Sequence, residues 1–404
     1  MPVENIATEE RAMLITAEVY SQAPILGLVN TDLKGEFGSG SGDTVSALIP
    51  GYGTVSEGIA LTGTEADWKL SVQKVPIKVT PKNMPVAYDF VEQSVKLDNF
   101  EKKVAAPYGS HLASKVREEL FGIILGGATR QFVIDNPKDD FNFGFISKVL
   151  SAIQDASMNG QINCVLSNSL EAMLRSSGLN QFQASSVAFA LWQGKVKDFG
   201  GADFVSQGEV IKFKAPNITS ATVSAAVGEG AESIRLTLQG SSLSVIPAGY
   251  VFLVNGVNSV DIFKRDTGAN RAFVVLKDAT VGPGGVVDLE ISPIYADQQR
   301  QKSALRNATA LPAAGATVGL PLTGGATYQT GAVFDQNSIG YASAAIKAPS
   351  GVDSSTSTVD GFVNVRFVAQ FDVEKGINIA RFDILTGGKA LYPQGVAGIW
   401  VKVG

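Results

Sequence analysis

One cysteine, Cys164, and one histidine, His111, are all that 404 residues contain of either type. A lone cysteine leaves no partner for an intramolecular bridge, so no disulfide framework holds the chain. A lone histidine excludes metal sites built from clustered imidazoles and leaves little room for histidine acid–base chemistry. Charge is scarce as well: 18% of residues are Asp, Glu, Lys or Arg, against about 25% in an ordinary soluble chain. The net charge is −5 and the isoelectric point is near 5.2. That balance gives no basic field for nucleic acid, and the nearest thing to a basic cluster is Lys102-Lys103. Long apolar runs are missing too. Val187–Trp192 is typical, far below the ~18 residues of a membrane helix. Met1–Glu10 is polar and acidic, so neither a leader nor a membrane partner is expected, and a reducing cytoplasm fits the cysteine count.

What is present is apolar bulk and glycine: 45% apolar residues, mean hydropathy +0.14 and 43 glycines. The length predicts two or three domains, because single cores stop growing at about 250–300 residues. Low charge on so apolar a chain is expected where surface is buried against copies of itself.

Along the chain, Thr8–Tyr20 has the spacing of a helix, with Ala12, Leu14, Ile15 and Val19 on one side. Gly35–Gly42, GEFGSGSG, is flexible by composition. Trp68–Val79 is strand-like, its apolar residues punctuated by Lys69, Lys74 and Lys78, as on an exposed arm. The strongest helix pattern runs from Ser110 to Phe132 through Leu112, Val116, Leu120, Ile123, Ile124 and Ala128, with Gly126-Gly127 as a point of bending or close packing. His111 falls in its first turn. A second amphipathic helix covers Phe145–Met158 and stops at Asn159-Gly160. Ile162–Leu166 reads as a buried strand, and Asn168 with Glu171 as a capping box for a helix over Leu170–Arg175.

From Pro216 to Pro293 the texture is β only. Ile234, Leu236 and Leu238 alternate with polar residues, as do Val287, Leu289 and Ile291, and Val251–Val254 leads into Asn255-Gly256, a tight-hairpin signal. Short strands at this spacing predict a small barrel or sandwich, bracketed by prolines like a domain inserted into another. Beyond Ala296, the segments Ala310–Gly331 and Ala348–Asp360 flank a helix-like piece. Val363, Val365, Phe367, Ala369, Phe371 and Val373 then alternate along one face of a strand. A turn is expected at Thr386-Gly-Gly388 and a last strand at Val396–Val403.

No chemical motif holds. GEFGSGSGDT satisfies neither a dinucleotide fingerprint nor a nucleophile elbow. Thr386-Gly-Gly-Lys389 has Ala390 where a phosphate loop needs Ser or Thr, and reads as a turn. Asp139-Asp140 reads as capping chemistry, Cys164 as a small core residue, and the sequons at Asn217 and Asn307 as chance. No catalytic, cofactor-binding or metal-ligating residue is nominated, and no cofactor is expected.

The order of these pieces resembles the major coat proteins of tailed double-stranded-DNA bacteriophages, in the short-tailed Salmonella-phage type that carries an inserted β-barrel. The resemblance rests on KVPIKVTPKNMPVAYDF (Lys74–Phe90), HLASKVREELF (His111–Phe121), LWQGKVKDFGGADFVSQGEV (Leu191–Val210), IPAGYVFLVNGV (Ile246–Val257), VVDLEISP (Val286–Pro293) and NIARFDILTGGKALYPQGVAGIW (Asn378–Trp400). The family's usual aromatic-Gly-Val turn and Arg-Pro-Glu are here Thr-Gly-Gly and Tyr-Pro-Gln.

The resemblance implies an α+β tailed-phage major-capsid fold: an N-terminal arm (1–34), an extended loop (35–83) and a peripheral domain with the spine helix (84–137). It further implies an axial domain in two parts (138–215 and 296–361), an inserted all-β barrel (216–295) and C-terminal core strands (362–404). The implied function is a non-enzymatic shell subunit, found in the virion and in host cytoplasm before assembly. It would form pentamers and hexamers of itself, work with a scaffolding protein, a portal protein and a decoration protein, and enclose DNA without reading its sequence. Expansion would hinge at Gly35–Gly42 and Gly126-Gly127. The alternatives are an extracellular β-rich adhesin or tail component, which would show a secretion signal or fibrous repeats, and a hydrolase built on Asp and Ser. A cargo shell of the encapsulin kind would share the fold without the barrel.

Overall fold

The computed structural model describes residues 8–32, 44–50, 72–89, 106–156, 158, 160–177, 198–240, 244–297, 305–347, 353–359, 363–375 and 377–403. The chain divides into two compact units, each assembled from separated stretches of sequence.

The first unit comprises Met1–Ala47, Pro76–Leu120 and Gly340–Lys389. Its centre is a mixed-length antiparallel sheet in which Ile377–Ala390 pairs with Val363–Asp372 on one side and with Thr80–Asp89 on the other. Asp353–Val359 extends it beyond Val363–Asp372, and Ile339–Ser343 also joins. Val363, Val365 and Phe367 are buried, and Phe367 meets Phe382 at 5.0 Å between ring centres. Each such apolar side chain removed from water contributes about 1.5–3 kcal/mol. The expected alternation fails at the strand's end, where Phe371 is 44% and Val373 82% exposed. The helix Thr8–Gln22 lies on Asp353–Val359 and Val363–Asp372, burying Ala12, Ile15 and Val19.

Thr386-Gly-Gly388 is not a turn. The strand runs straight through it, because a Cβ on Gly387 would stand 2.2 Å from the carbonyl oxygen of Lys78. Glycine there serves the close approach of another backbone, which a sequence reader takes for a turn signal.

The second unit comprises Leu48–Val75, Phe121–Ile339 and Ala390–Gly404. Its main sheet has the order Arg130–Ile134, Val396–Lys402, Thr327–Asp335, Ile162–Ser167, Ala202–Gln207, Asp198–Phe199, with Lys212–Lys214 also pairing to Thr327–Asp335. Every residue of Ile162–Ser167 is buried, as are Ala332, Val333 and Phe334. The helix-like piece expected between 332 and 347 is therefore two strands, Thr327–Asp335 and Ile339–Ser343. A central strand covered on both faces carries a continuous apolar run, which periodicity cannot tell from a buried helix. Trp400 is fully buried in the last strand, and its indole N–H donates to the carbonyl of Gly249 at 2.8 Å.

The helix Phe143–Asp155 starts on Asn142, whose Oδ1 accepts from the Phe145 amide at 3.0 Å, and it ends before the expected Asn159-Gly160. Asn168–Ser176 is capped by Ser167 rather than Asn168: Ser167 Oγ accepts from the Leu170 amide at 3.0 Å.

The long helix spans Ala106–Gly126, so it begins earlier and ends six residues sooner than the apolar stripe predicts. Arg130–Ile134 is a strand, parallel to Val396–Lys402. Leucine-like spacing continued past the glycines, but the Thr129 amide donates to Val396 and turns the chain into the sheet. Gly126-Gly127 sits at the helix end in close contact. Added Cβ atoms would meet Leu276 Cδ2 at 2.3 Å and Ala390 Cβ at 2.6 Å, so the pair serves close packing where the helix ends.

Among the described residues of 216–294 the regular structure is strand, apart from one short 3-10 turn at Pro283–Gly285. Ile218–Val223, Ser233–Gly240 and Val286–Glu290 make one antiparallel sheet, and Val245–Ile246 pairs with Ala279–Thr280. Val251–Val260 pairs with Asp266–Val274 and with Val318–Gly319. Ile234, Leu236, Leu238, Val287 and Leu289 are buried, as their alternation predicts, and Phe252 stacks on Phe273 at 5.4 Å. The hairpin expected at Asn255-Gly256 is absent. The strand continues through a register shift, with Gly256 at φ +82° supplying the irregularity, and turns at 261–265 instead.

Candidate functional site

The residues singled out in the sequence do not converge. Cys164 is fully buried in the central strand, and burial pushes its thiol well above the ordinary range, so it is inert core. His111 is exposed and lies in the second turn of the long helix, not the first. Asp139-Asp140 closes a single helical turn, with Asn136 Nδ2 donating to Asp139 Oδ2 at 2.7 Å. Asn307 is buried and purely structural: its Nδ2 donates to the Pro293 carbonyl at 2.9 Å and its Oδ1 accepts from the Tyr295 amide at 3.1 Å. Gly35–Gly42, Lys102-Lys103 and Leu191–Lys197 lie outside the described residues. Among the described residues no group of three or more His, Cys, Asp or Glu could hold a metal ion, and no helix is long and apolar enough to cross a membrane.

What the fold does assemble is mechanical. Lys82 Nζ donates to Glu119 Oε2 at 2.7 Å and to Thr386 Oγ1 at 2.6 Å, while Thr386 Oγ1 donates to the same carboxylate oxygen at 2.9 Å. This triangle ties Thr80–Asp89, the long helix and Ile377–Ala390 at one half-buried point. It carries the geometry of a clamp: each of the three groups is satisfied by the other two, which holds the two strands and the helix together. A second polar group lies in the same sheet. Asp383 is buried, and its Oδ2 accepts from Arg366 Nη2 at 2.5 Å while its Oδ1 faces Arg381 Nε at 2.8 Å. The first group is not visible in the sequence, since Lys82 and Thr386 are 304 residues apart, and the second, although local, carries no recognised motif.

At the far end of the Val363–Asp372 and Ile377–Ala390 pair, apolar side chains face solvent. Phe371, Val373 and Ile379, the last 39% exposed, line an open groove of about 530 Å³ with Gln370, Glu374 and Arg381. Exposed apolar surface gathered at one strand end is a signature of contact with another protein surface.

The family model described as P22 coat protein, gene protein 5, matches residues 173–400, more than half of the chain. The chain belongs to the P22 coat protein family. It is a major capsid protein, an α+β subunit of the icosahedral shell of a phage virion. No curated protein matches the sequence. Among solved structures, the chain is similar to the capsid of Ralstonia phage GP4, with 11% identity, 93% of this chain and 87% of that one covered, and a TM-score of 0.47. It is similar also to the capsid of Helicobacter pylori bacteriophage KHP30, at 10% identity, 94% and 91% coverage and a TM-score of 0.48. A third is the structure from Mycobacterium phage Che8, at 13% identity, 92% and 89% coverage and a TM-score of 0.45. The assignment rests on the family match.

Proposed function

We propose that this coat protein assembles on a scaffolding protein into a procapsid, which expands as DNA is packaged, and that it works by contact rather than catalysis. The family match over 173–400 carries this reading. The proposed division of labour follows the sequence: arm 1–34, extended loop 35–83 reaching over a neighbouring subunit, peripheral domain 84–137, axial domain 138–215 and 296–361, inserted barrel 216–295, and core strands 362–404. Rings of five and six copies would close the shell, with a portal protein at one vertex and a decoration protein outside.

Physical features support it. The clamp of Lys82, Glu119 and Thr386 gives the loop a rigid root, so that binding its far part positions a whole neighbour. Phe371, Val373 and Ile379 offer apolar surface to a second copy. A net charge of −5 suits a container whose wall should release packed DNA rather than hold it. The proposed hinges are Gly35–Gly42 and Gly126-Gly127, the second at the end of the long helix.

The test is co-expression with the scaffolding protein, followed by gentle heating of the shells and measurement of their diameter. Native shells should widen, and shells with alanine for the glycines of Gly35–Gly42 should assemble yet fail to widen. Identical expansion of both would overturn the hinge, and assembly indifferent to scaffold would overturn the pathway.

A further inference from the structure

The chain contains the dipeptide Asn-Gly twice, at Asn159-Gly160 and at Asn255-Gly256. In this pair the side-chain amide and the next backbone nitrogen react readily, because glycine presents no Cβ to the closing ring. The fold treats the two copies differently.

Asn255-Gly256 stands in the irregular stretch of Val251–Val260. From Leu253 to Asn258 that strand advances five residues, while its partner advances two, from Ala272 to Asn270. The surplus residues bulge out of the ladder, and on the other edge the pairing with Val318–Gly319 ends at Val254. Asn255 and Gly256 are both exposed, whereas Val254 and Val257 on either side are buried. Gly256 has φ +82°, and a Cβ built there would meet nothing within 4 Å. The Asn255 amide donates to the Thr317 carbonyl at 3.0 Å, but that nitrogen takes no part in ring closure. Water and open space therefore surround the reacting pair.

At the other pair, Asn159 lies outside the described residues, and the nitrogen that would attack belongs to Gly160. It is held. The Gly160 amide donates to Asp335 Oδ2 at 2.6 Å, and a Cβ on Gly160 would stand 2.5 Å from both carboxylate oxygens. The nucleophile in this chemistry is the amide nitrogen after loss of its proton. A carboxylate that accepts the hydrogen bond keeps the proton in place, so ring closure must first break a charge-assisted bond. A bond of that kind slows the step about ten- to a hundredfold.

We propose that Asn255 is a site of spontaneous backbone modification, passing through a succinimide to isoaspartate and aspartate, while Asn159 is protected. The Gly256 nitrogen gives its proton to hydroxide and attacks Cγ of Asn255. The N–Cγ bond forms, the Cγ–Nδ2 bond breaks, and Nδ2 leaves as ammonia after taking a proton from water. Water then opens the ring. Attack at Cγ leaves aspartate, and attack at the main-chain carbonyl carbon leaves isoaspartate. Either product adds a negative charge at an exposed point of these strands. Isoaspartate also lengthens the main chain by one carbon just after the nitrogen held by Thr317. The pairing of Val251–Val260 with Val318–Gly319 therefore loosens as the protein ages.

The test is to incubate the folded protein for days at neutral and mildly alkaline pH and digest it in acid. Mass spectrometry then follows the amide-to-acid mass gain of each peptide, and isoaspartyl methyltransferase labelling separates the two acids. The Asn255 peptide should convert at least about tenfold faster than the Asn159 peptide, faster still in alkali, and take up label. In denaturant the two should convert at similar rates, since the Asp335 contact is gone. Asn255→Gln should leave its own peptide unlabelled and the Asn159 peptide unchanged. An Asn255 peptide that converts no faster than the Asn159 peptide in the folded protein would overturn the proposal. So would one that stays intact when folded and converts only in denaturant.

Discussion

Two regions of this coat protein bury charge, a carboxylate in one and a guanidinium in the other, and they meet the cost differently. In the sheet around Ile377–Ala390, Arg366 and Arg381 converge on the buried carboxylate of Asp383, and Arg366 Nη1 takes the Lys347 carbonyl at 2.9 Å. In the hairpin Val251–Val274, Arg271 is fully buried, with Nε and Nη1 unpartnered, Nη2 only 3.5 Å from the Pro293 carbonyl, and the guanidinium 4.8 Å above the Phe273 ring. A paired charge stabilises only as long as its partner stays, whereas an unpaired one is a standing cost of burial. The first region is therefore expected to be the rigid one, and the hairpin to hold reserve stability that a mutation can release.

The largest effect should come from breaking the paired site. Asp383→Asn leaves Arg366 and Arg381 without their counter-charge and should cost about 3–5 kcal/mol in chemical denaturation. A loss under about 1 kcal/mol would place the two regions in the same class. The opposite sign is expected in the hairpin, where Arg271→Met removes an unpaired cation while keeping the volume and should gain about 1–4 kcal/mol. Because burial presses the Arg271 guanidinium down to about 9, its cost is fully present below that pH and fades as pH rises above it. The gain from Met should therefore be level at neutral pH and shrink in alkali. Third, Gly387→Ala drives a Cβ to 2.2 Å from the Lys78 carbonyl oxygen and should cost about 1–3 kcal/mol, with exchange quickened in Thr80–Asp89. The smallest stability change belongs to the exposed strand end. Val373→Asp should shift the monomer by no more than about 0.5 kcal/mol, yet lower the yield of shells by sedimentation.

Legibility in the sequence followed how local the deciding interaction is. The alternation of Ile234, Leu236 and Leu238 marks a one-faced strand, and the structure buries those three. Ile162–Leu166 and the helix through Val149 and Ile153 are equally plain, because their own apolar runs and spacing mark them whatever their partners. The readings that failed turned on partners far along the chain. Asn255-Gly256 has hairpin composition but sits within a strand, because Val318–Gly319 and Asp266–Val274 hold Val251–Val260 on both sides of the irregularity. Thr386-Gly-Gly388 has turn composition but needs glycine only to admit Lys78. The long helix lost its last six expected residues to the pairing of Arg130–Ile134 with Val396–Lys402. The polar clusters were illegible for the same reason: Lys82, Glu119 and Thr386 carry no motif and meet only in the fold. The family resemblance survived these local errors because it rested on the order of segments, and the matched region 173–400 spans most of them.

The central claim is that this chain closes into a shell with copies of itself. Negative-stain electron microscopy of the protein, expressed alone and with a candidate scaffolding protein, tests it most directly. The account predicts closed particles of uniform diameter, whereas fibres or a persistent population of monodisperse monomers would contradict it.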